Sequence, residues 1–264
     1  MCEEQKVMRL QKYLSSAGVC SRRESEKYII EGRVSINGRV AILGDKVHPL
    51  DKVFFDGKEL SLFNKKYIIL NKPENVICTR KDERGRKTVF DLLKGEDRND
   101  TSLFHIGRLD YNSCGLILLT NDGDFANNII HPSKSVVKGY MVTSTASFEV
   151  AKNIASSFTR GITVDGIFYK AKMCQIQQNK KQMLIELKEG KKREIREVYK
   201  HFACEIIKLE RIFIGKLRLA DLNIAQGEYI SMAYDDIYDA IYNDGVKNAN
   251  SSRWTGRSRK EFNS

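Results

Sequence analysis

Gly107-Arg108-Leu109-Asp110-Tyr111-Asn112-Ser113-Cys114-Gly115-Leu116-Ile117-Leu118-Leu119-Thr120-Asn121-Asp122-Gly123 is the stretch on which the reading of this chain turns. A charged Arg-Leu-Asp turn stands directly ahead of an apolar run, Leu116-Ile117-Leu118-Leu119, with the composition of a buried strand. Asn121-Asp122-Gly123 closes that strand, and Asp122 is placed to cap a helix carrying Phe125, Ala126, Ile129 and Ile130. An Asp in such a turn ordinarily only shapes the turn or caps a helix. Position alone therefore marks Asp110 as a candidate without giving it a chemical role.

Outward from this stretch the pattern mixes strands and helices. Tyr67-Ile68-Ile69-Leu70 is a second buried strand by composition. Residues 138–144 alternate as a strand, and 148–158 are amphipathic. Strands near 170–177 and 183–188 pair across Asn179-Lys180. A strongly charged helix is expected over 191–202 and a further strand over 205–209. Such mixing predicts an α+β domain over 65–242 with a mixed, largely antiparallel central sheet.

Residues 7–64 read as a separate small unit. Leu10, Tyr13, Leu14 and Ala17 recur at helical spacing, and Gly18 ends that helix. Ser21 with Glu24 has the spacing of a capping box for the next helix, which stops at Gly32. Asn37-Gly38 and Asp56-Gly57 are hairpin turns between short strands. Arg9, Lys12, Arg22, Arg23, Lys27 and Arg33 gather on or beside the two helices, where basic side chains and helix N-termini suit phosphate oxygens. Glu24, Glu26 and Glu31 lie among them, so charge alone leaves an ordinary solvated face equally open. Residues 243–264 form a basic tail too polar to fold by itself, with five bases and one acid from Lys247 onward.

Lys and Arg total 45 against 34 acids, giving +11 and a pI near 9.3. That balance favours a polyanion, which nucleic acid or an anionic membrane would supply. No apolar run reaches the roughly 18 residues that a membrane span needs. The N-terminus lacks an apolar signal core, and the six cysteines are scattered without a C-x-x-C pair. A reducing cytoplasm is expected, with neither disulfide framework nor zinc site. There is no P-loop and no G-x-G-x-x-G, so no nucleotide cofactor is expected.

Several stretches carry a resemblance. RLQKYLSSAGVCSRRESEKYIIEGRVSINGRVA resembles the alpha-L RNA-binding domain found in a small-subunit ribosomal protein and in RNA-modifying enzymes. GRLD followed by SCGLILLTNDG resembles the signature of pseudouridine synthases of the RsuA/RluB type. Lys138-Gly139-Tyr140 resembles that family's K-x-Y segment, and Glu189-Gly190-Lys191-Lys192-Arg193-Glu194-Ile195-Arg196 its E-G-x-x-R-x-[IV]-R motif. The resemblance implies Asp110 as catalytic carboxylate, Arg196 as its partner, Tyr140 as the aromatic wall beside the base, and Arg108 in base flipping. A guanidinium there would favour the charged carboxylate and hold it by paired hydrogen bonds. Lys138, Lys192 and Arg193 join the expected RNA contacts.

The resemblance further implies an enzyme acting on ribosomal RNA; such an isomerisation needs no cofactor or metal, and a monomer is expected. Glu194 stands where many relatives have Gln. With Cys78-Thr79-Arg80-Lys81-Asp82-Glu83-Arg84-Gly85-Arg86-Lys87-Thr88-Val89-Phe90-Asp91, it resembles the branch acting on large-subunit (23S) rRNA. The other readings are the same reaction on 16S rRNA, or a non-catalytic ribosome-assembly factor on the same scaffold. Glu197, where relatives have Arg, has no counterpart in the pattern.

Overall fold

The computed structural model describes residues 7–243 together with Gly245 and Val246. The remainder of the basic tail lies outside the described residues. In the N-terminal part, helices α1 (Leu10–Ser16) and α2 (Arg22–Ile30) pack on a small sheet. The sheet runs β3 (Arg39–Val40), β2 (Val34–Ile36), β5 (Val53–Phe55), β6 (Lys58–Glu59) in space. A two-residue ladder joins β1 (Met8–Arg9) to β4 (Lys46–Val47). Both expected hairpin turns take the left-handed backbone that Asn-Gly and Asp-Gly favour, with φ of 51° and 83° at Asn37-Gly38 and 47° and 76° at Asp56-Gly57. Only half of the expected capping box forms: Ser21 accepts from Glu24 N, while Glu24 Oε1 accepts from Tyr28 Oη.

The second part is α+β. Its strands are β7 (Tyr67–Lys72), β8 (Phe104–Ile106), β9 (Cys114–Thr120), β10 (Lys138–Ser144), β11 (Ile162–Val164), β12 (Ile167–Tyr169), β13 (Met173–Ile176), β14 (Gln182–Leu187), β15 (Ile206–Ile214), β16 (Leu217–Arg218) and β17 (Tyr229–Met232). Its helices are α3 (Gly95–Asn99), α4 (Gly123–Ile130), α5 (Phe148–Arg160), α6 (Glu194–His201) and α7 (Tyr234–Tyr242). The main sheet runs β13-β14-β10-β15-β9-β7-β17, with β8 on β9 and β16 on β15. Every pairing in it is antiparallel except β15 with β9.

Strands β7 and β9 are buried along their whole length because both sheet faces are covered. Ile69, Leu116 and Leu118 pack with Phe125 and Ile129 of α4 and Ile237 and Ile241 of α7. Ile68, Leu70, Ile117 and Leu119 face the opposite way, in one cluster with Ile154 and Phe158 of α5 and Ile195 and Val198 of α6. As expected, Asp122 caps α4, accepting from Asp124 N and Phe125 N.

The parallel ladder is only two rungs long, Glu210↔Cys114 and Arg211↔Gly115. Beyond it the same edge of β9 passes to β8, whose first rung is Ile106↔Leu118. Arg211 bridges the gap: it is 3% exposed and donates Nε–H to Leu116 O at 2.6 Å. Gly115 permits the approach, since a Cβ there would lie 2.3 Å from Arg211 O and the residue has φ +101°.

Two sequence expectations change. The charged helix starts at Glu194 rather than 191, because Arg193 is left-handed (φ 54°) and cannot continue a right-handed helix. The strand expected over 205–209 continues to Ile214, because charged Glu210 and Arg211 interrupt the apolar pattern without interrupting the ladder.

Candidate active site

The turn carrying Asp110 is held by buried chemistry beneath it. Ser113 N–H donates to Asp110 O (3.1 Å), and Leu109 N–H points to the Cys78 Sγ at 3.4 Å. Lys72, 0% exposed at the end of β7, donates to Ser113 O (2.6 Å), Pro73 O (2.9 Å) and Tyr111 O (3.5 Å). Burial pushes its ammonium below the ordinary lysine pKa. A charge this costly to bury is tolerated because carbonyl oxygens replace its water. The residue was legible only as a charge ending an apolar strand, Tyr67-Ile68-Ile69-Leu70-Asn71-Lys72, and the sequence reading passed over it.

Arg196, in the first turn of α6, reaches the same turn. Its Nη2 donates to Asn112 O (2.8 Å) and Ser113 Oγ (3.0 Å). Its Nε is buried, makes no hydrogen bond, and stands 3.4 Å from Asp110 Oδ2. The expected paired hydrogen bonds to the carboxylate are therefore not present; one ion-pair contact is, because Nη2 is engaged by the backbone of the turn and by Ser113. The Asp110 side chain remains 35% exposed, open to a substrate, against 15% for Arg196.

Tyr140, mostly buried on β10, faces the same side of the sheet. Leu109, Tyr140 and Ile195 belong to one apolar cluster, which brings all three motifs together. Gly139 leaves room for the Phe213 ring, which a Cβ would meet at 1.9 Å. Arg108 is exposed and has no ion pair or hydrogen bond among the described residues. His105 is half-buried with Nδ1 2.8 Å from Gly107 O, and burial lowers its pKa, so it holds the turn as a neutral ring. The 78–91 segment docks against this turn: Arg86, paired with Asp82 at 2.7 Å, lies 5.8 Å from the Tyr111 ring centre.

The other expected contacts separate into free and engaged. Arg9, Arg22, Arg23, Lys27 and Lys192 are exposed, with no ion pair among the described residues. Lys12 instead reaches across to α4, both Asp124 oxygens lying 2.7 Å from Nζ, and Thr101 Oγ1 donates to Gly18 O nearby. Arg33 is pinned by Asp56 at 2.6 Å, and its guanidinium lies over the adjacent Tyr28 and Phe55 rings, 4.4 and 4.8 Å from their centres. Its pKa is raised, with the Asp56 hydrogen bonds the main cause. Arg193 is exposed and pairs with Glu197 at 3.5 Å, which gives Glu197 a local partner. Lys138 turns its Nζ to Ile129 O (3.1 Å); burial, with Arg211 nearby, pushes its pKa down to about 8. Glu194 is buried, and burial raises its pKa, although its Oε2 accepts from Lys191 N.

Residues 66–203 match the RNA pseudouridylate synthase family, and residues 8–53 match the S4 domain. The chain belongs to the RNA pseudouridine synthases. An uncharacterized RNA pseudouridine synthase of Borreliella burgdorferi is 37% identical over 86% of this chain and 92% of its own length. The ribosomal large subunit pseudouridine synthase B of Bacillus subtilis is 36% identical over 81% and 88% of the two chains. The dual-specificity RNA pseudouridine synthase RluF of Escherichia coli is 35% identical over 88% and 78%. A crystal structure of a pseudouridylate synthase shares the fold, with a TM-score of 0.62 at 24% identity over 88% of this chain and 98% of that one. The enzyme is thus an isomerase of uridine in RNA with an N-terminal S4 RNA-binding domain. No helix among the described residues is long and apolar enough to cross a membrane.

Proposed function

We propose that this synthase converts a specific uridine of 23S ribosomal RNA to pseudouridine, with Asp110 as its catalytic carboxylate, acting in the cytoplasm as a monomer. The observation that carries the site is the meeting of Asp110 and Arg196 at 3.4 Å, an ion pair joining two motifs 86 positions apart (196 − 110). In the reaction the N1–C1′ glycosidic bond breaks, the freed uracil turns, and a C5–C1′ bond forms. The C5 proton is lost and N1 gains one, so nothing is oxidised or reduced. Asp110 is the group that meets the nucleotide. Arg196 is a positioning residue that orients Asp110 and ties α6 to its turn. Tyr140 walls the uracil while it turns, and Arg108, exposed beside Asp110, occupies the space left by the flipped nucleotide.

Support for the large subunit comes from the Bacillus subtilis relative, from Glu194 and from the 78–91 segment. The Escherichia coli relative, dual-specific by name, favours a second reading in which more than one RNA is modified. The boundaries we propose are an RNA-binding domain over 7–64, a catalytic domain over 65–242 and the tail over 243–264, Arg9, Arg22, Arg23, Lys27 and Lys192 being the free phosphate contacts. Mapping pseudouridines in rRNA from cells with and without this chain tests the assignment. One 23S position should lose its modification, and loss only in 16S would overturn it.

A further inference from the structure

The β11–β12 hairpin lies outside the three motifs and carries an unusual surface. Asp165 and Gly166 form its turn with φ of 49° and 76°, and beside it Ile167 and Phe168 are 50% and 51% exposed. Phe168 lies over Gly161, where a Cβ would come within 2.3 Å of its ring, and Gly161 has φ +105°. One side of the ring is thus backed by a glycine while the rest meets solvent. Lys191 donates Nζ–H to Phe168 O at 2.6 Å, with its ammonium 5.9 Å from the ring centre. Lys191 is five residues before Arg196, a stretch that spans at most about 18 Å. Val164 and Tyr169 of the same hairpin share one apolar cluster with Leu109 and Ile195, the chain neighbours of Asp110 and Arg196, so the hairpin packs beside the candidate site.

We propose that Phe168 is a stacking platform for an unpaired base flanking the target uridine, with Lys191 and Lys192 holding the adjoining phosphates. The inference rests on the chain's activity on RNA and not on which RNA it modifies. Charge complementarity favours RNA only modestly here: Lys170, Lys191 and Lys192 are exposed, but so are Asp165 and Glu189, and Arg193 is paired with Glu197. The ring therefore supplies most of the contact, since every base offers a π-face and stacking tolerates sequence.

The test compares the full-length chain with Phe168→Ala, Phe168→Leu and Phe168→Tyr on deproteinised 23S and 16S rRNA carrying tritium at uridine C5. Leu keeps an apolar cover over Gly161 without a ring face, and Tyr keeps the face. The Ala and Leu variants should raise KM about tenfold with kcat within twofold, and the Tyr variant should stay within twofold of the parent. Affinity for a short single-stranded polyuridine should fall in the same pattern, which reads the platform even where neither rRNA is turned over. Unchanged KM and affinity in the Leu variant, equal loss in Tyr and Ala, or a fall confined to kcat would each overturn the proposal. Asp110→Asn run alongside separates the two ideas: turnover surviving there defeats the catalytic assignment and leaves the Phe168 comparison standing.

Discussion

Arg22, Arg23 and Lys27 stand on an exposed helix of the S4 domain without a carboxylate partner among the described residues, whereas Lys72, Lys138 and Arg211 donate to backbone carbonyls within the catalytic domain. The residue types are the same and the physics is opposite. An exposed cation keeps its water and ions until a phosphate displaces them, so its value lies in binding and falls with salt. A buried cation has already lost its water, so it must be satisfied by the fold, and its value lies in where it holds the chain. Net charge of +11 counts both kinds alike, which is why it points to a polyanion but not to the residues that meet one.

The comparison breaks most severely at Asp110. Asp110→Asn should lower single-turnover tritium release by about a thousandfold or more, roughly 4 kcal/mol of barrier, with RNA affinity nearly intact. A variant keeping more than a tenth of the parent rate would remove Asp110 from the chemistry. Lys72→Met comes next. Freeing the Ser113 and Tyr111 carbonyls should loosen the turn and cost kcat on the order of 10–100-fold, with RNA affinity unchanged. Its effect on stability should be smaller, because the lost carbonyl bonds and the relieved burial of charge oppose one another.

Replacing Arg22, Arg23 and Lys27 together by Gln should weaken RNA binding and flatten the slope of log affinity against log salt by about 2, at about 0.7 for each lost single-strand phosphate contact. Arg33→Met, made in parallel, should leave the slope unchanged and lower the melting temperature, since its guanidinium is held by Asp56 and two rings. A slope change from Arg33 equal to that of its neighbours would erase the distinction between free and engaged cations.

The smallest effect is at Lys138. Its folded pKa is pushed down to about 8 from an ordinary 10.5. Below pH 8 the ammonium is charged in both states and the cost of burying it is felt in full. Between these values the unfolded chain binds the proton that the folded chain has released, so stability rises with pH. Lys138→Met should therefore exceed the parent by on the order of 1–2 kcal/mol at pH 7, with the gap narrowing towards pH 10. Denaturant titrations at the two pH values measure it, and a gap that widens instead would show that the Ile129 contact outweighs the buried charge.

The fold was legible wherever side-chain period and backbone agreed. β7, β9 and the capped α4 announced themselves because their residues are apolar throughout or meet a capping Asp. Asp110 and Arg196 were legible as motif positions, but not the manner of their pairing, because Nη2 of Arg196 is taken by the turn itself. Lys72 and Arg211 were missed for one reason. Each is a cation serving as a backbone donor, and a linear sequence carries no mark for a carbonyl that lacks a strand partner. The ion pairs of Arg33 and Lys12 were illegible for a related reason: their acids, Asp56 and Asp124, are 23 and 112 positions away.

The pairing of β7 with β17 reaches from Leu70 to Tyr229, nearly the length of the catalytic domain. During synthesis, β7 and β9 can meet early, but the outer edge of β7 stays without its partner until residue 232 has left the ribosome. An uncovered apolar edge is a template for other strands, and long-range pairing is slow to form. Nascent chains arrested before β17 should therefore be protease-sensitive and prone to association, and chains arrested beyond α7 should not. An enzyme that modifies RNA would then gain its compact catalytic sheet only as its own translation is nearly complete.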